Sequence, residues 1–515
     1  MNKVGNSTYA VLIYPRTSLD IGPSVAPPFA LLTVAAPLYN KGKKVKIIDQ
    51  RVDPNWISNL KEALKENPVC CGISTMTGRQ IGFGIEIAKI IREETGRKIP
   101  IVWGGVHPTL VPEQTLRSPY ADIVCVGEGD ETFPELVDAL ENKKSLEGVK
   151  GIGFIKENEY VFTGARPFIN IEETLPTPWD LIDVESYINP DLYLKESKRA
   201  LDIGQTSRGC PYRCAFCYNP IVHKSRWRAM SVEKTLKMII SDVKRFKLDG
   251  IWLRDDEFFL DVDRTAKICQ GILDAGLNIA WYTSGASVRD ILRSSDEQLE
   301  LLKRSGVNVL RFGAESGSDR VLKFINKSQT VKEILEVNRR CRKVGLKPVY
   351  SLMFGFPTET FAEINETIDL LFQLKKDNPD ASFAQFAQFT AFPGTVLYDM
   401  AMNMGLKPPA KLEDWAEWLS NESDPKGERV PWLNKKERRW VGNILYLGNF
   451  SFVGADMASA VKNMPFGSLI NFFVGIFSKY FTWRLKRKSY RFTPEMQPFI
   501  LAFKTYMYFL NHRGK

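Results

Sequence analysis

The chain has few cysteines and very few histidines: eight Cys and three His occur among its 515 residues. So sparse a set of cysteines excludes the disulfide-dense scaffold of a small secreted domain. The N-terminal stretch MNKVGNSTYAVLIYP lacks the long apolar segment and the small-residue cleavage site of a signal peptide. No run reaches the roughly 18 uncharged apolar residues that a membrane span needs. We therefore expect a cytoplasmic protein.

The composition is that of a globular chain, with 44% hydrophobic and 25% charged residues. The length suggests about three domains. The net charge of +10 comes in good part from one basic stretch, WRLKRKSYR at 483–491. An excess of this sign is compatible with nucleic acid, an anionic membrane or anionic cofactors as partners.

Residues 8–142 alternate short apolar runs with helical patterns, which predicts a parallel, doubly wound α/β sheet. The predicted strands are 9–14, 45–49, 70–75, 99–105 and 122–127. Ligands bind at the carboxyl ends of the strands in such folds. The residues at those ends that we expect to bind a ligand are Ser74, Thr75, Gly104, Gly105, His107, Gly127, Glu128 and Gly129. Ordinary tight turns are the alternative for each glycine.

A second βα series follows a Pro-rich segment and predicts a parallel barrel of six units, incomplete beside the eight-stranded type. Its predicted strands are 202–209, 250–256, 278–284, 307–316, 347–357 and 382–394. The sequence thus divides into a first domain at 1–145, a linker at 146–198, a barrel at 199–411 and a helical region at 412–515.

Three of the eight cysteines, Cys210, Cys214 and Cys217, lie in SRGCPYRCAFCYNP after the first barrel strand. A disulfide would use only two of them. Zinc usually takes four ligands, and His223 is the one nearby candidate for the fourth. An iron–sulfur cluster held by three thiolates leaves one iron open to an external ligand. The strand-end position, where barrel enzymes build active sites, favours the cluster.

The C-x-x-x-C-x-F-C pattern resembles the radical S-adenosylmethionine (SAM) superfamily. VWGGVHPTLVPE and DIVCVGEGDETF resemble the cobalamin-binding subclass, and LRDDEF, FGAESGSDRVL, FGFPTET and FPGTVLY match it in order downstream. The resemblance covers residues 8 to about 400. It implies an N-terminal Rossmann-like cobalamin-binding domain, a partial (β/α)6 radical SAM barrel and a helical C-terminal region.

The resemblance also implies a set of cofactors: a [4Fe–4S] cluster, SAM and cobalamin. The three cysteines would hold the cluster, and SAM would chelate its open iron and yield a 5′-deoxyadenosyl radical on reduction. The SAM contacts that the resemblance implies are Phe216 and Gly355 at the adenine, Asp255 and Asp256 at the methionyl ammonium, and Glu315 and Ser316 at the ribose. The alternatives are core packing for Phe216, a solvated loop for Asp255 and Asp256, a salt bridge for Glu315 and a plain turn for Gly355.

The corrin-binding D-x-H-x-x-G pattern is absent: the histidines are His107, His223 and His512, and none stands in that pattern. The resemblance then implies that cobalt takes no histidine from that motif, and that His107 contacts the nucleotide tail. A capping or surface role is the alternative for His107. The other cysteines fall on apolar faces and are expected to be structural.

The resemblance implies methylation of an unactivated carbon, on a lipid-like or tetrapyrrole substrate. A radical oxidative cyclase or ring-forming enzyme is the alternative, and a non-catalytic cobalamin sensor is the alternative from another class. A transfer-RNA methylthiolase would carry further N-terminal cluster cysteines, so no nucleic-acid partner is expected. The expected partners are a flavodoxin- or ferredoxin-like electron donor, a small hydrophobic substrate and, through 466–491, the membrane surface.

Overall fold

The structure is a computed structural model, and it describes residues 9–17, 25–190, 197–418, 424, 426–453 and 467–496, with the backbone alone for 467–474 and 496. The chain forms two compact units. The first comprises Met1–Ile188 and Pro409–Leu419, and the second comprises Asn189–Pro408 and Ser420–Lys515.

The first unit is built on a seven-stranded sheet. Its strands are β1 (Tyr9–Tyr14), β2 (Lys44–Asp49), β3 (Cys70–Ser74), β4 (Ile101–Gly104), β5 (Ile123–Cys125), β6 (Ile152–Lys156) and β7 (Glu159–Phe162). Their order is β2-β1-β3-β4-β5-β6-β7, and the first five run parallel. The five strands predicted from the sequence are all present. The apolar runs of β1, β3, β4 and β5 are typical of parallel strands that are covered on both faces.

Strands β6 and β7 lie inside 146–198, the segment that the sequence pattern predicts to be a linker. Both pairings, β5 with β6 and β6 with β7, are antiparallel. The hairpin turns through Glu157 and Asn158, which both have positive φ (50° and 68°). Two such residues suit a type I′ hairpin turn, but neither is the glycine that would signal one in the sequence. Residues 152–162 therefore continue the sheet.

The helices of the first unit cover the sheet. They are α1 (Phe29–Asn40), α2 (Trp56–Lys65), α3 (Arg79–Thr95), α4 (Val106–Leu110), α5 (Pro112–Leu116) and α6 (Gly129–Glu141). A 3-10 turn at Leu412–Glu417, from the segment that returns at 409–419, packs against α3. Residues 412–419, which the sequence pattern predicts to be part of the C-terminal region, belong by their contacts to the first unit.

The second unit contains the predicted partial barrel. Its strands are β8 (Ala200–Gly204), β9 (Ser207–Arg208), β10 (Arg228–Ala229), β11 (Gly250–Leu253), β12 (Ala280–Thr283), β13 (Val309–Glu315), β14 (Lys347–Phe354) and β15 (Ser382–Gln388). Two parallel three-stranded sheets, β8-β11-β12 and β13-β14-β15, are linked by the parallel bridges Trp281↔Val307 and Ala286↔Phe312. The short β9 and β10 pair antiparallel on either side of the cysteine loop.

Helices follow the barrel strands and continue into the C-terminal region. They are α7 (Asn219–Val222), α8 (Val232–Phe246), α9 (Val262–Asp274), α10 (Val288–Arg293), α11 (Asp296–Arg304), α12 (Asp319–Phe324), α13 (Val331–Val344), α14 (Phe361–Asp377), α15 (Val396–Asn403), α16 (Lys435–Gly448) and α17 (Gly467–Lys486). Within the described ranges, none of the helices is both long and apolar enough to cross a membrane.

Candidate functional site

The cysteine loop leaves the barrel at β9 and is tied together by its own backbone. The Cys217 amide donates to the Cys214 carbonyl (3.1 Å), and the Asn219 amide donates to the Cys217 sulfur (3.4 Å). All three thiols are half-buried and free of disulfides. The loop therefore presents three sulfur ligands from a span of eight residues, as the sequence predicts.

Gly209 fixes how the loop begins. Its φ is +82°, and a Cβ at this position would lie 2.2 Å from the Arg226 carbonyl oxygen. Its amide donates to the Asp256 carboxylate (3.0 Å), which follows β11. No side chain fits at this position, so the glycine lets the loop close against the neighbouring strand end.

The thiol chemistry fits an iron–sulfur cluster. Burial raises the pKa of Cys210 to about 12 and that of Cys217 to about 11, so the thiolate forms need a cation beside them. In the part of the chain that the structure describes, no three His, Cys, Asp or Glu side chains converge as ligands of a single metal ion. A cluster spreads its thiolates over separate irons and needs no such convergence. The Nε2 atom of His223, the candidate fourth zinc ligand, lies 3.9 Å from the Asp256 carboxylate.

The two aspartates after β11 differ in their surroundings. Asp255 is fully buried, and its carboxylate accepts hydrogen bonds from the Thr206 amide and hydroxyl and from the Ser207 hydroxyl (2.5–3.2 Å). Burial raises its pKa to about 6. Asp256 retains a quarter of its side-chain exposure. The predicted contact with the SAM ammonium is therefore open to Asp256, whereas the protein itself occupies the Asp255 carboxylate.

Glu315 ends β13 in a strained backbone conformation and forms a buried ion pair. Its φ is +62°, which is uncommon for a non-glycine residue and often marks functional sites. Its carboxylate lies 3.1 Å from the Lys327 ammonium. A Cβ on Gly313 would lie 2.2 Å from the Glu315 carboxylate and 2.7 Å from that ammonium, so the glycine leaves room for the pair.

Phe216 precedes Cys217 in the chain, and its ring lies near this ion pair. The Lys327 ammonium is 5.9 Å from the centroid of its ring, within cation–π range, and the Phe356 ring is 6.2 Å away. Lys327 also lowers the pKa of Cys214 and Cys217 against the larger, raising effect of burial. The structure therefore places Phe216, Glu315 and the cysteines in one neighbourhood, with Lys327 at its centre.

Ser316 and Gly355 are both held by neighbouring residues. The Ser316 hydroxyl lies 3.2 Å from the Thr367 hydroxyl and accepts from the Ser318 amide. Gly355 has a φ of +81°, and its amide donates to the Glu359 carboxylate (2.6 Å). Gly355 thus supplies a turn that a side chain would strain, and the contacts of both residues with SAM stay predictions.

The ligand edge of the first unit joins the ends of β3 and β4. The Thr75 amide donates to the Gly104 carbonyl (2.9 Å), and the His107 amide donates to the Thr75 carbonyl (3.2 Å). Gly105 has a φ of +97°, and a Cβ there would lie 2.6 Å from the Thr75 carbonyl oxygen and 3.0 Å from the Ser74 hydroxyl. Four of the predicted residues and His107 are therefore in mutual contact.

The loop after β5 completes this edge. The Gly127 amide donates to the Thr109 hydroxyl (3.0 Å), which donates to the Gly105 carbonyl (2.8 Å). Gly129 begins α6, where a Cβ would lie 2.7 Å from Val34. The Glu128 carboxylate accepts from the Ile169 amide (3.1 Å). Three loops that the sequence predicted as one ligand edge thus lie together.

His107 is buried rather than exposed at the surface. Its Nδ1 lies 3.0 Å from the Thr77 hydroxyl, and its ring packs edge-on against Trp415, with centroids 5.3 Å apart. Burial lowers its pKa to about 3, so the ring is neutral. Trp415 could not be predicted as a neighbour of His107, because it lies some three hundred positions further along the chain, in the returning segment.

The first-unit edge fits a cobalamin, as two observations show. The Thr75 hydroxyl and the His107 Nε2 are buried and have no hydrogen-bond partner among the described residues. The space where a Cβ of Gly127 would lie is empty to 4 Å among those residues. Unpaired buried polar atoms are costly, and a ligand with amide and phosphate groups could satisfy them.

Two further residues of the second unit lay outside the sequence-predicted site. Glu257 is buried beside the aspartates, and burial raises its pKa to about 8. It stands in the LRDDEF motif, so the sequence offered a signal for it. Lys327 lies twelve positions beyond Glu315, and no sequence motif marked it.

Two family models match the chain. The Radical SAM superfamily model matches residues 205–371, and the B12 binding domain model matches residues 22–137. The chain is 31% identical over 398 residues to an uncharacterised methyltransferase of Pyrococcus horikoshii, an alignment that covers 76% of this chain and 83% of that protein.

A second relative and one solved structure are also similar to the chain. The chain is 26% identical to the anaerobic magnesium-protoporphyrin IX monomethyl ester cyclase of Synechocystis, covering 74% of this chain and 75% of the cyclase. The fold matches the cobalamin-dependent SAM radical enzyme OxsB, solved with aqua-cobalamin and SAM, at a TM-score of 0.74 and 20% identity; the match covers 96% of this chain and 75% of OxsB.

The chain therefore belongs to the cobalamin-binding radical SAM enzymes. Its cofactors are a [4Fe–4S] cluster, SAM and cobalamin. Enzymes of the radical SAM superfamily need an external reductant. Both the predicted family and the predicted fold class are confirmed.

Proposed function

We propose that this enzyme methylates an unactivated carbon of a lipid-like or tetrapyrrole substrate. One observation carries the proposal: a single chain combines a three-thiol loop at a barrel strand end with a second, cobalamin-type ligand edge. When bound, the cluster and SAM supply hydrogen-atom abstraction, and cobalamin supplies the methyl group. The relative from Pyrococcus horikoshii, which bears a methyltransferase name, supports the proposal.

In this proposal the second unit holds and orients SAM. Cys210, Cys214 and Cys217 bind the cluster, and the aromatic face of Phe216 packs against the adenine. The Lys327 ammonium holds Glu315 in its strained conformation, which aims the carboxylate at the ribose hydroxyls. Ser316 and Gly355 shape the same wall through their backbone geometry.

In the first unit, the proposal assigns cobalamin to the β3, β4 and β5 loops. Ser74, Thr75, Gly104 and Gly105 form a floor without bulky side chains, and Gly127, Glu128 and Gly129 form the adjacent wall. His107 is neutral and offers Nε2 as a hydrogen-bonding group for the nucleotide tail. No histidine of the chain stands in the D-x-H-x-x-G pattern, so this motif gives cobalt no axial ligand.

Anaerobic turnover with a host lipid and pigment extract tests the reaction class. Methyl transfer predicts S-adenosylhomocysteine and 5′-deoxyadenosine in comparable amounts, because one SAM donates the methyl group and another supplies the radical. A cyclase or a rearranging enzyme would give 5′-deoxyadenosine alone. A sensor would give neither product, even after its cluster has been reconstituted and a flavodoxin- or ferredoxin-like electron donor has been supplied.

The outer face of α17 supports contact with an anionic membrane surface. Ile476, Tyr480 and Trp483 lie on one side of the helix and are 48%, 39% and 54% exposed. Exposed Lys479 and Arg487 flank them, and no acidic residue occurs between 467 and 494. Aromatic and basic side chains on one helix face suit the headgroup layer of a bilayer.

Vesicle sedimentation tests this contact. Each basic residue near an anionic bilayer contributes about 1 kcal/mol, so Lys479→Gln with Arg487→Gln should weaken binding to phosphatidylserine vesicles by about thirtyfold. Lys244→Gln with Arg245→Gln, an exposed basic pair on α8, is the matched control and should leave binding unchanged. Equal binding of all three proteins would contradict membrane contact. The side chains of 467–474 lie outside the described residues.

A further inference from the structure

One face of each barrel strand points into the barrel. Each of the six strands contributes a residue to one apolar cluster: Ala200, Trp252, Tyr282, Val309, Val349 and Ala384. The opposite face of β11 and β12 is packed with the fully buried Ile251 and Trp281. Because all six strands contribute to this cluster, it lies inside the barrel, and Trp252 and Tyr282 therefore face the barrel interior.

Trp252 holds a fixed position on this interior wall. It pairs in register with Asp202 of β8 on one side and with Tyr282 of β12 on the other. Its ring stacks on Tyr282, with centroids 5.2 Å apart and planes 20° apart. Its indole N–H donates to the Ser284 hydroxyl (2.9 Å). The indole is thus anchored by stacking and by a hydrogen bond.

Arg254 lies two residues beyond Trp252 and is held against it. Its guanidinium carbon is 4.3 Å from the centroid of the indole ring, and its Nε donates to the Asp202 carboxylate. Asp202 is 2% exposed in its side chain, whereas Arg254 is 37% exposed. Among the described residues, no hydrogen bond or ion pair engages its two terminal amino groups.

We propose that Arg254 binds an anionic group, a carboxylate or a phosphate, of the substrate in the barrel. A guanidinium presents paired donors that match both groups, and Asp202 and Trp252 fix its orientation before the substrate arrives. This inference rests on the proposed function, because it assumes that the barrel interior receives the substrate. It narrows the substrate class from apolar molecules in general to those that carry an acidic group.

Arginine modification by phenylglyoxal, read by peptide mass spectrometry, tests the proposal on the full-length protein without turnover. The probes are hexyl phosphate, hexanoate and the neutral hexanamide, and Arg304, exposed at the end of α11, is the internal reference. An anion present at about nine times its Kd leaves about one tenth of the sites free, so it should slow modification of Arg254 by about tenfold. Hexanamide should not slow it, and Arg304 should react equally in every case.

Each outcome decides the proposal. Protection by hexyl phosphate alone supports it and identifies a phosphate, protection by hexanoate alone identifies a carboxylate, and protection by both supports the shared chemistry. No protection by either anion, or equal protection by hexanamide, overturns it. Because no methyl transfer is measured, this result is independent of the product ratio that tests the proposed function.

Variants provide a second measurement. Arg254→Gln should lose anion binding in calorimetric titration with hexyl phosphate by about tenfold, whereas Arg304→Gln should bind like the wild type. Arg254→Lys keeps the charge but loses the paired donors, so its affinity should lie between the two. If Arg254→Gln does not fold, the protection experiment on the wild type still decides. Wild-type affinity in a folded Arg254→Gln protein would overturn the proposal.

Discussion

Replacing Lys327 with Met should destabilise the second unit by removing one partner of a buried ion pair. The Lys327 and Glu315 side chains are 20% and 9% exposed, and their charged atoms lie 3.1 Å apart. Breaking a buried pair from one side costs about 3–5 kcal/mol, and the residual exposure places the expected loss near 3 kcal/mol. The isosteric apolar chain of Met limits the packing loss, so the charge left on Glu315 dominates.

The loss has a defined pH dependence. Burial lowers the pKa of Lys327 more than any single neighbour raises it, but Glu315, Cys214 and Cys217 together outweigh burial, so that the folded pKa lies above the ordinary value of 10.5. A base whose pKa is higher in the folded than in the unfolded protein stabilises the fold at pH values below its unfolded pKa. This stabilisation is lost as the pH rises through the folded pKa. The destabilisation in Lys327→Met should therefore stay constant between about pH 7 and pH 10 and shrink above that range.

Urea unfolding of the iron-free protein under anaerobic conditions measures the effect. Lys323→Met, an exposed lysine on α12, is the control and should change stability by no more than about 0.5 kcal/mol. Adding Glu315→Gln to Lys327→Met should restore part of the loss, because it removes the orphaned charge. A Lys327→Met protein as stable as the control, or strictly additive double-mutant losses, would refute the reasoning.

Three further predictions address the two sites. Burial raises the pKa of Glu359 to about 8 from 4.5, so this carboxyl should contribute a fall in stability of about 1.4 kcal/mol per pH unit across that range. Glu359→Gln should reduce the slope of stability against pH by that amount in thermal melts at several pH values, whereas an unchanged slope would contradict the assignment. Gly105→Ala should lower cobalamin affinity at least about tenfold through a clash with the Thr75 carbonyl, as measured by equilibrium dialysis, while Gly96→Ala in a solvent-open turn should not. Cys214→Ala should lose cluster iron in elemental analysis yet retain cobalamin; full iron retention would contradict the cluster assignment.

The parallel strands were predictable because burial on both faces leaves an unmistakable apolar run, as in YAVLIY of β1. The antiparallel extension was not predictable, since β6 and β7 are short and turn through Glu157 and Asn158 without glycine. The cysteine loop was recognisable because its ligands are close in sequence. The local spacing of residues was therefore enough to predict the parallel strands and the cluster site.

Contacts between residues that are far apart in the chain could not be predicted from the sequence. Trp415 packs on His107 across about three hundred residues, and Lys327 meets Glu315 only because α12 turns the chain back to the end of β13. Arg254 stands in the LRDDEF motif, but the sequence could not show its orientation, which depends on Asp202 on another strand. Asp255 and Asp256 look equivalent in sequence, and only the fold shows that hydrogen bonds occupy the first.

Tracing the methyl group of SAM tests the central claim most directly. The enzyme is incubated anaerobically with SAM that carries a fully deuterated methyl group, a low-potential reductant and the host extract, and the products are analysed by mass spectrometry. The account predicts a product that gains the intact deuterated methyl group on carbon, together with S-adenosylhomocysteine and 5′-deoxyadenosine. A new product formed with 5′-deoxyadenosine but without any deuterated methyl group would contradict it.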